Sequence, residues 1–103
     1  MKTIFLSGRL TSDPEVKITK ENNSKIVKFT LANNDAGRDS AAEYFDVHCW
    51  DNIAELVENN LKKGNKIIVQ GSFSNSVYTD KEGNKKSHFE ITAYKIEFAD
   101  WQL

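Results

Sequence analysis

The 103-residue chain is predicted to fold as one all-β domain, a five-stranded Greek-key barrel with a single α-helix between its third and fourth strands. Apolar and polar residues alternate along most of the chain, as they do in half-buried strands. Only one segment has apolar residues at helical spacing. Clusters of Asn, Asp, Gly and Ser separate the periodic segments. No linker or repeat divides the chain, so the predicted domain comprises residues 1–103.

The first strand is predicted over Lys2–Leu10, because alternate residues on one face of that segment are apolar or small. Pro14 fixes its own φ and lacks an N–H, which predicts a kink after this strand. A further strand segment is predicted over Glu15–Lys20, and the polar residues 21–24 form a hairpin turn.

The next two strands are the clearest. Lys25–Asn33 alternates Val27, Phe29 and Leu31 with polar residues. Residues 34–42 are polar and small, which predicts a loop. Glu43–Trp50 follows as a strand that leads directly into the helix.

The helix is predicted over Asp51–Lys63. Asp51 or Asn52 is expected to be the N-cap, and Gly64 is expected at the left-handed C′ position. Lys62 and Lys63 would lie in the last turn, where positive charges interact favourably with the helix dipole. The apolar stripe at helical spacing consists of Ile53, Leu56, Val57 and Leu61.

Two long strands, Asn65–Thr79 and Lys85–Phe98, are predicted on either side of a turn at residues 80–84. The first of them could bend at Gly71. The apolar phase of the second changes near Ala93, which predicts a β-bulge there. Three strands, one helix and two strands is the order of an OB-fold barrel, which binds oligonucleotides across its second and third strands.

Composition limits the class of protein and its cellular location. The net charge is −1, with 39% apolar and 28% charged residues, which is ordinary for a globular domain. No apolar run is long enough for a transmembrane helix, and the apolar N-terminal run is too short for a signal peptide. The lone Cys49 excludes an internal disulfide framework. These features predict a cytoplasmic protein that does not associate with a membrane.

The sequence argues against catalysis. His48 and Cys49 are adjacent on a strand and therefore point to opposite faces. His88 has no second ligand at metal-binding spacing, and no Cys-x-x-Cys or His-Glu-x-x-His motif is present. We expect no enzyme activity, no metal and no cofactor. Cys49 is interpreted as a small core residue.

The aromatic residues are the positive indication of function. Tyr44 and Trp50 lie on the face of their strand opposite Phe45, Val47 and Cys49. Tyr78 precedes the long hairpin turn, where no core would receive it. Flat rings on an open sheet face are suited to stacking with bases; the alternative is that each ring is covered by a subunit interface or a loop. The phenylalanines predicted in the core are Phe5, Phe29, Phe45, Phe89 and Phe98.

Trp101 lies beyond the last predicted strand. Two interpretations stay open for it: the ring packs back on the barrel, or it contacts another subunit or a partner.

A series of motifs over about residues 2–98 resembles bacterial and phage single-stranded DNA-binding proteins. The motifs, in order, are Gly8–Glu15, Phe29–Ala32, Tyr44–Glu55, Leu61–Gly64, Val69–Gly71 and Tyr78–Gly83. The resemblance implies that Tyr44, Trp50 and Tyr78 stack on bases and that Lys63 contacts the DNA backbone. It also implies a homotetramer, with a dimer as the other possibility.

The candidates for phosphate contacts are Arg9, Arg38, Lys62, Lys63, Lys85 and Lys86. The sequence departs from the family pattern at Ala36–Arg38, where some members place a tryptophan. It also departs at Ser74, Ser76 and Val77, where basic residues are common, so we expect a weaker phosphate groove. The Gly/Gln/Pro-rich segment and acidic tip of many members do not follow Leu103, so recruitment of replication proteins through such a tail is not expected.

The predicted function is sequence-independent binding of single-stranded DNA, which protects it in replication, recombination or repair. The alternative is a primosomal-type OB adaptor that bridges replication factors. An RNA- or tRNA-binding module and a protein-interaction module without a nucleic-acid role also stay open.

Overall fold

The computed structural model describes residues 1–19, 21, 23–35, 37 and 41–99 of the chain. Within them the elements follow the predicted order of strands and one helix. They are β1 (Ile4–Leu10), β2 (Glu15–Ile18), β3 (Lys25–Asn33), β4 (Glu43–Trp50), α1 (Asp51–Asn60), β5 (Lys66–Thr79) and β6 (Lys85–Phe98).

The strands form one closed sheet in the order β1-β5-β6-β4-β3, and pairing of β1 with β3 completes the barrel. Among the described strands, only β4 and β6 pair in parallel. The short strand β2 pairs with β3 further along the same edge that β1 uses. It therefore continues the first barrel strand beyond the kink at Pro14, and the predicted five-stranded OB-fold barrel is confirmed.

The barrel interior is filled by apolar side chains, mostly aliphatic, from five strands and the helix. Alternation along each strand directs one set of side chains inward, and α1 adds Ala54 and Val57 from one end. The buried set is Leu6, Leu10, Val27, Phe29, Leu31, Val47, Cys49, Ala54, Val57, Leu61, Ile67, Val69, Ile91 and Ala93.

Two phenylalanines that were predicted in the core are exposed. Phe5 is 69% exposed and Phe98 is 51% exposed. Phe5 follows the outward parity of β1, opposite to that of the buried Leu6 and Leu10, and Phe98 is the last residue of β6. Both were predicted in the core because phenylalanines alternate with polar neighbours on strands; that criterion fails for Phe5, whose neighbours Ile4 and Leu6 are apolar.

Three other phenylalanines pack together beside the core. The Phe89 ring lies 6.0 Å from the Phe45 ring, nearly edge-on. It also lies 5.3 Å from the ring of Phe73. Phe45 and Phe89 are half-buried rather than fully enclosed, because this cluster lies where the β5–β6 hairpin leaves the barrel.

The helix is shorter than predicted. It ends at Asn60, and Leu61 is already extended with φ −107°. Lys62 and Lys63 therefore lie beyond the last turn. Gly64 has φ +90°, but in a separate turn that donates its N–H to Leu10 O at 2.9 Å. The positive φ at Gly64 was predicted, but its place at the helix C′ position was wrong.

The predicted helix cap is also wrong. Trp50 is the N-cap, without a side-chain hydrogen bond. Asp51 is the first helical residue and has φ +50°, a conformation that bends the chain sharply from strand into helix. On the inward face Ala54 is buried, while Leu56 is exposed at the edge of the predicted stripe.

The predicted bulge in the last strand is confirmed. Gln70 pairs with Lys95 and Gly71 pairs with Ala93, so Tyr94 is the extra residue on β6. A Cβ on Gly71 would clash with the backbone oxygen of Thr92. Only glycine allows the two backbones to approach so closely at this point.

Cys49 is fully buried, as predicted, with Sγ 3.7 Å from Val27 O. Burial raises the pKa of its thiol to about 12.

Because the thiolate is the reactive form, we expect iodoacetamide at pH 8 to modify Cys49 slowly in the native protein and rapidly in urea. The thiol ionises first in the unfolded chain, so stability should fall as pH rises above about 8.5. Equal rates of alkylation of Cys49 with and without urea would contradict the predicted protection of the thiol by burial.

Candidate nucleic-acid interface

Strand β4 presents two large rings to solvent. Tyr44 is 67% exposed and Trp50 is 44% exposed. Between them Val47 and Cys49 point into the barrel and are buried. The predicted separation of the two sets of side chains is confirmed, and the rings lie outside the core.

Strands β3 and β6 widen this outer surface on either side of β4. Directly paired residues point to the same side of a sheet. Trp50 pairs with Ile26, His48 with Lys28, and Tyr44 with Ala32. We call this surface the ring face; it consists of Ile26, Lys28, Thr30, Ala32, Tyr44, Asp46, His48, Trp50, Glu90 and Thr92.

A hydrogen-bonded network fixes the centre of the ring face. His48 Nδ1 lies 2.8 Å from Glu90 Oε1, and His48 Nε2 lies 2.8 Å from Thr92 Oγ1. A carboxylate only accepts, so Nδ1 is the donor in the contact with Glu90. The His48 ring meets the ring of Trp50 edge-on at 6.2 Å and 90°. Strand β6 thereby holds His48, which supports one side of Trp50.

Tyr78 lies on the hairpin formed by β5 and β6, where it is 50% exposed. It pairs with Lys86, which places both side chains on one side of the hairpin. Alternation places Ser74 and Ser76 on that same side. Through Glu90 and Thr92 this side is continuous with the ring face. The third predicted ring therefore extends the surface beyond the barrel.

The two hairpin lysines differ. Lys86 Nζ lies 3.7 Å from Asp80 Oδ2, beside Tyr78. Lys85 pairs with Thr79 and points to the opposite side of the hairpin. Both are exposed, but only Lys86 shares a side with the predicted stacking ring.

Three other predicted basic residues lie together at the end of β1. Arg9 Nη1 donates to Gly64 O at 2.9 Å. The Lys63 N–H donates to Asp13 Oδ1 at 2.8 Å, which ties the turn that carries Lys62 and Lys63 to the β1 end. Arg9 pairs with Ala32, which pairs with Tyr44, so this basic cluster begins two strands from Tyr44.

Two residues singled out by sequence cannot be placed. Arg38, a predicted phosphate contact, and Trp101 both lie outside the described residues. The same holds for part of the loop in which a fourth stacking ring was considered.

Sequence reasoning missed one basic residue and the acidic character of the ring face. Lys28 is exposed and pairs with His48, which lies between Tyr44 and Trp50 on β4. Because Lys28 alternates with Val27 and Phe29, the strand pattern alone could have placed its side chain on the outer face of β3. Asp46 and Glu90 pair directly across β4 and β6, and that contact depends on a register that the sequence does not reveal.

The described part of the chain has no candidate metal cluster and no candidate membrane-spanning helix. Residues 1–19, 21, 23–35, 37 and 41–99 contain no group of three or more His, Cys, Asp or Glu side chains that could hold a metal ion. None of the described helices has the length and apolar character needed to cross a membrane.

The chain is similar to known proteins along nearly its whole length. The profile of the single-strand binding protein family matches residues 1–99. Single-stranded DNA-binding protein 3 of Clostridium acetobutylicum is 31% identical over 98% of this chain and 72% of its own length. Single-stranded DNA-binding protein 1 of the same organism is 30% identical over 97% of this chain and 94% of its own length.

A solved structure described as Plasmodium falciparum SSB in complex with ssDNA superposes with a TM-score of 0.80. It is 26% identical in sequence, and the match covers 97% of this chain and 96% of the other. Fold, sequence profile and relatives agree, and the chain belongs to the single-strand binding protein family.

Proposed function

We propose that this protein binds single-stranded DNA without recognising a defined sequence, and protects it during replication, recombination or repair. The observation that carries the proposal is the exposure of Tyr44 and Trp50 on one face of β4. Unpaired bases offer flat surfaces to such rings, and every base can stack. Family membership and the fold shared with an SSB–ssDNA complex support the same ligand.

The proposed path runs along the ring face and onto the hairpin. Tyr44, Trp50 and Tyr78 stack on bases. Lys28 and Lys86 are the cations beside these rings, and the cluster of Arg9, Lys62 and Lys63 contacts phosphates beyond Tyr44. Arg38 and Lys85 stay predicted contacts. The role is binding rather than catalysis, and we expect a cytoplasmic location.

Fluorescence anisotropy with labelled oligonucleotides of equal length tests the proposal. Single-stranded DNA should bind at least tenfold more tightly than duplex DNA, because paired bases cannot reach the rings. RNA should bind no more tightly than DNA. Tighter binding of RNA would favour an RNA-binding OB module, and absence of binding to every oligonucleotide would refute the proposal.

We expect affinity to fall as salt rises, because phosphate neutralisation releases counterions. At about 0.7 per single-strand phosphate contact, the three cations of the Arg9, Lys62 and Lys63 cluster give a shallow slope of log K against log [salt], about −2. Lys63→Gln should lower its magnitude by about 0.7, the contribution of one single-strand phosphate contact. Lys25→Gln, at a lysine that pairs with Glu58 of α1 and has the opposite parity to Lys28 on β3, is the control and should leave the slope unchanged. Affinity independent of salt would contradict the electrostatic part of the proposal.

A homotetramer is proposed from a second exposed surface. Phe5 and Ile68 are large apolar side chains exposed on the outer side of β1 and β5, away from the ring face. Contiguous exposed apolar surface is typical of interaction sites. Light scattering should give four subunits; two subunits would favour the adaptor-type alternative, which bridges replication factors and binds DNA weakly.

A further inference from the structure

We propose that Asp46 reads the edge of the base stacked on Tyr44 and favours cytosine over thymine. The inference rests on the proposed function and adds a bias in base composition, rather than a recognised sequence. Asp46 and Tyr44 are alternate residues on the same face of β4. Alternate residues on a strand lie about 6.8 Å apart, so the edge of a base on the Tyr44 ring reaches the carboxylate.

The orientation of the carboxylate is fixed. Thr30 Oγ1 donates to Asp46 Oδ1 at 2.9 Å from the paired position on β3. Within the described ranges no donor reaches Oδ2, which stays available on the exposed side chain. An ionised carboxylate is an acceptor only. Thr30 therefore aims a fixed acceptor at the position where a base edge would lie.

The neighbouring charge makes this position unfavourable for a phosphate. Glu90 pairs directly with Asp46 in the β4–β6 ladder, and adjacent strands lie about 4.8 Å apart. Like charges directly opposite each other are destabilising. The partner of Glu90 is His48, not Asp46. A hydrogen-bond donor beside these carboxylates is thus favoured, whereas the phosphate backbone is kept away.

The ring face has room for the base. A groove of about 350 Å³ runs past Asp46, and its wall includes Lys28, Thr30, His88 and Glu90. Its volume is roughly ten times the ~30 Å³ that one water occupies in the liquid, whereas a pyrimidine base is a single six-membered ring. Tyr44 does not line this groove but lies two residues from Asp46 along β4, so the proposed base would stack beside the groove and place its edge at the Asp46 carboxylate, which lines it.

The chemistry of the two pyrimidines decides between them. Cytosine has an N4 amino donor where thymine has the O4 acceptor. Carboxylate side chains accept from cytosine N4, but Asp46 and thymine O4 would oppose each other as two acceptors. Because the two pyrimidine rings are of similar size and both can stack, the difference in affinity between cytosine and thymine strands isolates the contact with Asp46.

The test compares oligo(dC) and oligo(dT) of equal length by competition anisotropy at one salt concentration. The measured quantity is the ratio of the two dissociation constants, Kd(dT)/Kd(dC). Asp46→Asn keeps the size of the side chain but adds a donor that thymine O4 can accept. We expect this substitution to lower the ratio about tenfold, the size of one good base-edge contact. Thr30→Val, which removes the orienting hydroxyl, should lower it less.

The matched control is Glu43→Gln, which removes one negative charge from the same strand on the alternate parity. It should change binding of both oligonucleotides equally and leave the ratio as in the wild type. An unchanged ratio in Asp46→Asn would overturn base reading by Asp46 while leaving DNA binding intact. Failure of the wild-type protein to bind either oligonucleotide would refute the proposed function and this inference together.

Discussion

Replacing Tyr44 and Trp50 together by alanine is expected to weaken binding of single-stranded DNA about a thousandfold. Each base stacked on an aromatic ring contributes roughly 1–3 kcal/mol by alanine substitution. Two rings at about 2 kcal/mol each give about 4 kcal/mol, and every 1.4 kcal/mol is tenfold in affinity. Because both side chains lie outside the core, the variant should fold like the wild type.

Anisotropy titrations at fixed salt measure this loss, and thermal unfolding checks the fold. Tyr44→Phe and Trp50→Phe keep a ring and should retain most of the affinity. Tyr94→Ala removes an exposed ring at the β6 bulge, for which no stacking role is predicted. It should bind like the wild type. If the double alanine variant binds within threefold of the wild type, the two rings of β4 do not carry the binding.

Leu31→Ala is expected to lower the free energy of unfolding by about 3–4 kcal/mol. Leu31 is fully buried and pairs with both Leu10 on β1 and Phe45 on β4, where the barrel closes. Removal of buried methyl groups loses their transfer free energy and leaves a cavity, which together cost about 2–5 kcal/mol for leucine. Net stabilities are only about 5–15 kcal/mol, so this variant should be markedly less stable.

Urea unfolding, monitored by circular dichroism, measures the difference in the free energy of unfolding between the variant and the wild type. The comparison is Leu56→Ala, a leucine that is exposed on α1 and whose loss should cost less than about 1 kcal/mol. Similar costs for the two substitutions would show that position 31 does not lie in the core of the folded protein.

Strand positions were predictable because the period of two is a local signal. Lys25–Asn33, Glu43–Trp50 and Lys85–Phe98 begin and end where alternation predicted. The change of apolar phase near Ala93 likewise predicted the bulge, since an extra residue shifts every later side chain to the other face. The exposure of Tyr44 and Trp50 followed from the same parity.

Features that depend on tertiary contacts were not predictable. The helix ends early because Lys62 to Asn65 form a turn held by Asp13 and Leu10, residues remote in sequence. Glu90 faces Asp46 only through the parallel register of β4 and β6. The acidic part of the ring face therefore follows from barrel closure, whereas its aromatic part could be inferred from one strand.

The central claim is that the Trp50 ring is in direct contact with the bases of bound single strands. Intrinsic fluorescence in a Trp101→Phe background, where Trp50 is the remaining tryptophan, tests it during titration with poly(dT). Stacking predicts strong quenching that saturates at a defined ratio of nucleotides to protein. Unchanged Trp50 fluorescence at a concentration where anisotropy shows full binding would place the DNA elsewhere and contradict the account.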